Sequence, residues 1–200
     1  MGRFLGELGT DVYNITAPEY KPCVLDYTVV EAAALDANGL LSEAETSATL
    51  VTTVTTFLAQ PPTPRLVTAI VKAADAGEVT ADSTITIYGT NIADRPISDV
   101  LTFTANQSTA KTTTKAFKTV TSVVFSAQAD GTPAFDVGWD DSIGLPFMMS
   151  RKPFVFEMFN DAIQTTYGTI TVDADEVEKN FYNPNGTLDG GKTLRLLMFM

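Results

Sequence analysis

Between Pro61 and Pro146 the chain alternates β-branched or apolar residues with hydroxyl-bearing ones, and turn residues break the alternation at short intervals. A period of two places successive side chains on opposite faces of a strand, so this stretch is committed to sheet. About thirty of the 200 residues are threonine, well above ordinary usage. Threonine is β-branched and tolerates both wet and half-buried sheet surfaces, which strengthens the same reading.

The clearest pair is Ser83–Thr90 with Ile97–Thr104, joined by a loop over 91–96 of hairpin length. Ile85 and Ile87 share one face, as do Leu101 and Phe103. A strand is expected over Leu66–Lys72, after the extended connector that Pro61, Pro62 and Pro64 impose. One long strand is expected over Ala116–Ser126, with Phe117, Val123 and Phe125 on one parity and Val120 and Val124 on the other, so both faces look covered. The segment "FDVGWDDSIGLPF", which holds the only tryptophan, Trp139, reads as loop-rich. Three more strands are expected over Pro153–Phe159, Gly168–Val172 and Thr193–Met200, with Asp189-Gly190-Gly191 as a turn before the last.

Residues 1 to 60 read differently. The first thirty lack periodicity and suggest an irregular arm. Ala32–Leu35 suggests a turn or two of helix ended by Asn38-Gly39, and Thr49–Leu58 is ambiguous between helix and strand, with strand favoured by its β-branched content. The expected architecture is therefore mainly β, an antiparallel β-sandwich or barrel-like domain over 61–200, preceded by an extended N-terminal arm and partly irregular segment over 1–60.

Composition limits the chemistry. There is no histidine, so Ser-His-Asp and Cys-His nucleophilic arrangements and imidazole metal sites are excluded. Cys23 is the one thiol, which excludes an intrachain disulfide framework and fits synthesis in a reducing compartment. The net charge of −11, with no basic cluster longer than Arg151-Lys152, argues against a nucleic-acid partner. The opening residues lack a secretory pattern, Gly6 stands where a myristoylation signal wants Ser or Thr, and no apolar run approaches the roughly 20 residues of a membrane span. A soluble protein without a membrane partner is expected.

Carboxylates are the one potentially catalytic class present in number. Asp136, Asp140 and Asp141 surround Trp139, and Asp173, Asp175, Glu176 and Glu178 crowd a turn. A carboxylate pair for glycoside hydrolysis or a calcium loop is conceivable in such clusters, but "DVGWDD" and "DADEVE" match no EF-hand loop, and solvated acidic turns are the commoner outcome. Three N-x-[ST] triplets begin at Asn14, Asn106 and Asn185. Phe147, Phe154, Phe156 and Phe159 form an aromatic cluster suited to a core, with some members open to an oligomer contact. No catalytic, cofactor-binding or metal-ligating residue is singled out, and no cofactor is expected.

Taken in order, "QPPTPRLVTAIV", "ITIYGTNIADRPISDVLTF", "TTTKAFKTVTSVVF" and "VGWDDSIGLP", followed by the closing "GTITVDADEVEKNFYNPNGTLDGGKTLRLLMF", resemble virion structural proteins of tailed bacteriophages. The resemblance runs from about Gln60 to the C-terminus. It implies a non-enzymatic capsid cement or decoration protein, made in the host cytoplasm and placed on the capsid exterior. Its implied partners are the major capsid protein and itself, as a homotrimer, with Arg65, Arg151 and Phe154 as candidate contacts. A head fibre, connector or tail component with a receptor- or glycan-binding role is the alternative, and an exposed Trp139 would favour it.

Overall fold

The computed structural model describes residues 22–129 and 131–199, and these form three antiparallel sheets. A terminal sheet has the order β1 (Pro22–Tyr27), β14 (Leu194–Phe199), β10 (Phe154–Phe159), β11 (Ala162–Ile163). A central sheet runs β12 (Thr169–Thr171), β13 (Phe181–Asn183), β9 (Ala134–Gly144), β4 (Arg65–Val71), β7 (Lys111–Phe117), and β2 (Asp36–Glu45) also pairs with β9. The third sheet runs β3 (Thr52–Val54), β8 (Thr119–Phe125), β5 (Ser83–Thr90), β6 (Pro96–Phe103). The molecule is mainly β, as the alternation predicts, and its sheets curl into a sandwich with barrel-like character.

The curl follows from strands that change sheet. β7 pairs with β4, whereas β8, one residue later, pairs with β3 and β5. The single long strand expected over Ala116–Ser126 is therefore two strands bent at Lys118, the usual way a sandwich makes a corner. The Asp99 carboxylate on β6 accepts from the Thr114 N–H at 2.6 Å and from its hydroxyl at 2.9 Å, tying the third sheet back to β7. On the opposite side, the Leu58 and Ala59 N–H groups donate to the Leu40 and Gly39 carbonyls of β2.

Two hydrophobic cores result. The first lies inside the curl and includes Leu40, Val67, Ile85, Ile87, Phe103, Phe117, Val123, Phe125 and Phe135. The second lies between the terminal sheet and the β12–β13 end of the central sheet, and includes Tyr27, Ile143, Val155, Phe159, Tyr182, Leu194, Leu196 and Met198. β9 serves both: Phe135, Val137 and Trp139 enter the first core, Ile143 the second.

The Ser83–Thr90 hairpin forms with its pairing unbroken from Ser83↔Phe103 to Thr90↔Pro96. Val120, although of opposite parity to Val123, is also buried. Tyr88 pairs with Ser122 but Gly89 with Val120, so β8 carries one extra residue that turns Val120 inward. Val124 stays half-exposed.

Two expectations are corrected. "FDVGWDDSIGLPF" is not loop-rich, since β9 covers Ala134–Gly144 and is the central strand of its sheet. Nor does a helix form at Ala32–Leu35: a turn there leads into β2, which continues through Asn38-Gly39 with a shift in its register against β9. Of the residues assigned to an arm, 1–21 lie outside the described residues. Within 22–60, β1, β2 and β3 each join a different sheet.

Candidate interaction face and the buried polar hubs

Most of the terminal sheet is apolar on both sides. Its inner face, with Val155, Phe159, Leu194, Leu196 and Met198, is core. The pairing register sorts its outer face into three cross-strand rows: Pro22–Phe199–Phe154, then Val24–Leu197–Phe156, then Asp26–Arg195–Met158–Ile163. The first two rows are entirely apolar. Phe154 is 62% exposed, Val24 51% and Ile163 61%. Edge-on aromatic contacts knit the face, with ring centroids 5.1 Å apart for Phe154–Phe156, 5.5 Å for Phe156–Tyr167 and 6.1 Å for Phe156–Phe199. An antiparallel sheet with one solvated face ordinarily alternates apolar with polar residues, and this one does not. Contiguous exposed apolar surface of this kind marks a contact site.

Among the described residues, charge on the outer face sits at its ends. At one end Arg151 and Lys152, both exposed, precede Phe154 and border a groove of about 420 Å³ lined also by Met148, Pro153 and Phe199. At the other end Arg195 pairs with both Asp26 and Asp161. The strand parity that makes the face also divides the aromatic cluster: Phe159 is core and Phe147 packs against it, whereas Phe154 and Phe156 point outward.

Most of the carboxylates singled out by sequence are occupied, some with backbone N–H groups and others with lysine or asparagine side chains. Asp136 accepts from the Glu43 N–H at 2.7 Å, and Asp141 from the Leu35 N–H at 2.9 Å. Asp140 turns to the Ser142 N–H and hydroxyl. Burial raises the Asp140 pKa to about 6, against the opposing pull of Ser142 and Arg65. Asp173 accepts from the Asp175 and Glu176 N–H groups. Glu176 pairs with Lys115 and Lys179, whose hydrogen bonds hold its pKa down at about 2. Glu178 accepts from the Asn91 amide at 3.0 Å. Among the described residues no group of three His, Cys, Asp or Glu side chains is placed to hold a metal ion.

Trp139 is buried, with its indole N–H 3.4 Å from the Ala34 carbonyl, and offers no exposed aromatic to a glycan. Cys23 is half-buried on β1 opposite Met198. The Asn106 and Asn185 triplets lie on loops, and Asn14 lies outside the described residues.

Arg65, a candidate partner contact by sequence, is instead fully buried at the seam between the cores. Its guanidinium donates to the carbonyl oxygens of Glu31 at 2.8 Å, Ala33 at 2.9 Å and Asp140 at 3.0 Å. Burial pushes its pKa down to about 10, so it remains charged at neutral pH. A second hub escaped the sequence reading. Glu157 on β10 is fully buried and accepts from the Gly168, Asn185 and Gly186 N–H groups and the Tyr182 hydroxyl, at 2.7–3.0 Å. Burial and then Glu157 raise the Tyr182 pKa. The one sequence signal for this hub is a glutamate of the same strand parity as Val155 and Phe159.

The class that these features define is a mainly β, sandwich-like body whose polar interior is structural and whose terminal sheet presents an apolar face. Compared with known proteins, the chain matches no family model, no curated protein and no solved structure. Among the described residues, no helix is long and apolar enough to cross a membrane.

Proposed function

We propose that this chain is a non-enzymatic structural protein of a tailed-bacteriophage particle, a cement or decoration protein that binds the outside of the capsid and stabilises contacts between shell subunits. The observation that carries the reading is the two-sided apolar terminal sheet, a surface built to be covered by another macromolecule. The ordered motifs from Gln60 onward supply the kind of assembly. Two further features support it. Asp136, Asp141 and Asp173 fix backbone, as suits a scaffold rather than a catalyst. The net charge of −11 favours a place outside the shell over one against packaged DNA.

A cement protein acts by adding buried area between subunits that would otherwise separate under load. Interfaces of that kind bury on the order of 1,600 Å² in total. Quantitative mass spectrometry of purified particles tests the proposal. Copies comparable in number to the major capsid protein are expected. A handful of copies would reassign the chain to a head fibre, connector or tail part, and complete absence would end the virion reading.

A further inference from the structure

We infer that Lys115 and Asn91 join covalently in the folded chain: the Lys115 Nζ displaces ammonia from the Asn91 side-chain amide, with Glu178 moving the protons between them. The inference goes beyond the assembly reading and does not depend on it.

Three elements meet at this place: the loop after β5, strand β7, and a short turn over Val177–Lys179. Asn91 is 3% exposed and Glu178 8%, so water is largely excluded from both. One Glu178 oxygen accepts from the Asn91 amide nitrogen at 3.0 Å, and the other lies 3.8 Å from the Lys115 Nζ. A single carboxylate therefore faces both an amine and an amide. The Asn91 Oδ1 in turn accepts from the Ala93 and Arg95 N–H groups, at 2.9 and 3.1 Å. These contacts fix which way the amide points, and two donors already stand where negative charge would develop on its oxygen.

Lys115 also pairs with Glu176 at 2.8 Å, and Glu176 has Lys179 as a second cation. The amine can thus swing away on its flexible stem without leaving Glu176 unpaired. A groove of about 200 Å³, bordered by Asn91, Ile97, Met148 and Glu178, opens beside the amide and gives ammonia a way out.

The step balances without any further reagent. The Lys115 ammonium gives one proton to the Glu178 carboxylate, and the neutral amine attacks the Asn91 Cγ. The Nζ–Cγ bond forms as the carbonyl electron pair moves onto Oδ1, between the Ala93 and Arg95 N–H groups. Glu178 passes its proton to Nδ2, the Cγ–Nδ2 bond breaks, and ammonia departs. The second Nζ proton leaves with it as ammonium, so Glu178 ends as a carboxylate and Nζ carries one hydrogen. Each chain reacts once. The product closes residues 91–115 into a ring and ties the end of β5, in the third sheet, to β7, in the central one. A ring of this kind limits the freedom the chain regains on unfolding.

Intact mass spectrometry of the full folded chain, incubated at mildly alkaline pH, tests this. The main species should weigh about 17 Da less than the sequence requires, with Met1 kept or removed. Trypsin should then leave Lys115 uncut, and residues 73–111 should emerge joined to 112–118. Lys115→Arg keeps a cation beside Glu176 but supplies no amine, and it should restore the full mass with unchanged circular dichroism. Glu178→Gln should do the same. Cyclisation at Asn185-Gly186 also expels ammonia, but it leaves Lys115 cleavable and persists in Lys115→Arg. That pattern overturns the inference, as does a wild-type chain of full mass. Neither result touches the copy-number test of the virion reading.

Discussion

The hydrogen bond that joins Arg65 to Asp140 runs to the main chain, not to the carboxylate. The guanidinium donates to the Asp140 carbonyl oxygen at 3.0 Å, while the Asp140 carboxylate turns away to Ser142. The same guanidinium holds Glu31 and Ala33, so one side chain fastens the 28–35 segment to β9. Arginine suits this task because its planar fork reaches several acceptors at once.

Arg65→Lys should therefore destabilise markedly. An ammonium at this depth cannot reach all three carbonyls, and each buried group left without a partner costs about 1–3 kcal/mol. A loss of about 2–4 kcal/mol in urea denaturation is expected, with an unchanged m-value.

Asp140 gives the fold a pH dependence of definite sign. Its pKa is about 6 in the folded chain against 3.8 for the ordinary group, so between those values the folded state holds more protons than the unfolded one. Stability from this residue falls as pH rises through that window. The total is at most about 3 kcal/mol, at 1.36 kcal/mol per pKa unit. Asp140→Asn should raise the melting temperature at pH 8, and the gain should vanish near pH 4. Equal gains at both pH values would contradict the assignment.

The alternation that predicts the Ser83–Thr90 hairpin is equally present in β9, where Phe135, Val137, Trp139 and Ile143 share one parity and all are buried. Asp136, Gly138 and Asp140 fill the other parity with residues that usually mark turns, and they hide the strand. Gly138 is there because β2 passes so close that a Cβ would lie 1.7 Å from the Asp36 carbonyl oxygen. That is a tertiary demand, invisible in local sequence. The strands of residues 22–60 were obscure for a related reason. β1 has no amphipathic signature of its own, and its partner Met198 lies at the far end of the chain from Cys23. The apolar terminal face was legible in part, since Phe154 and Phe156 alternate with Val155. What sequence lacked was the register that sets Val24 and Leu197 beside them.

Gly138→Ala follows from the same crowding. The added methyl group collides with backbone, which has no rotamer to yield, so β2 must shift off β9. We expect a loss of at least about 3 kcal/mol and faster amide exchange along Asp36–Glu45, read by hydrogen-exchange mass spectrometry.

Glu157→Gln should be costly despite its equal size. Both carboxylate oxygens accept hydrogen bonds, so the glutamine NH₂ must face an N–H donor. A loss of about 2–4 kcal/mol is expected, with exchange rising at Gly168, Asn185 and Gly186. Tyr182→Phe, which leaves three of the donors in place, should cost only about 1–2 kcal/mol. A neutral Glu157→Gln would show that the loops hold together without this carboxylate.

Because β9 is shared, neither core has an independent existence. Opening the first exposes the strand on which Ile143 and the second core are built, and Arg65 sits where the two would part. Heat or denaturant should meet one cooperative transition, with no half-folded species exposing strand edges to neighbouring chains. The seam therefore acts as a safeguard against aggregation.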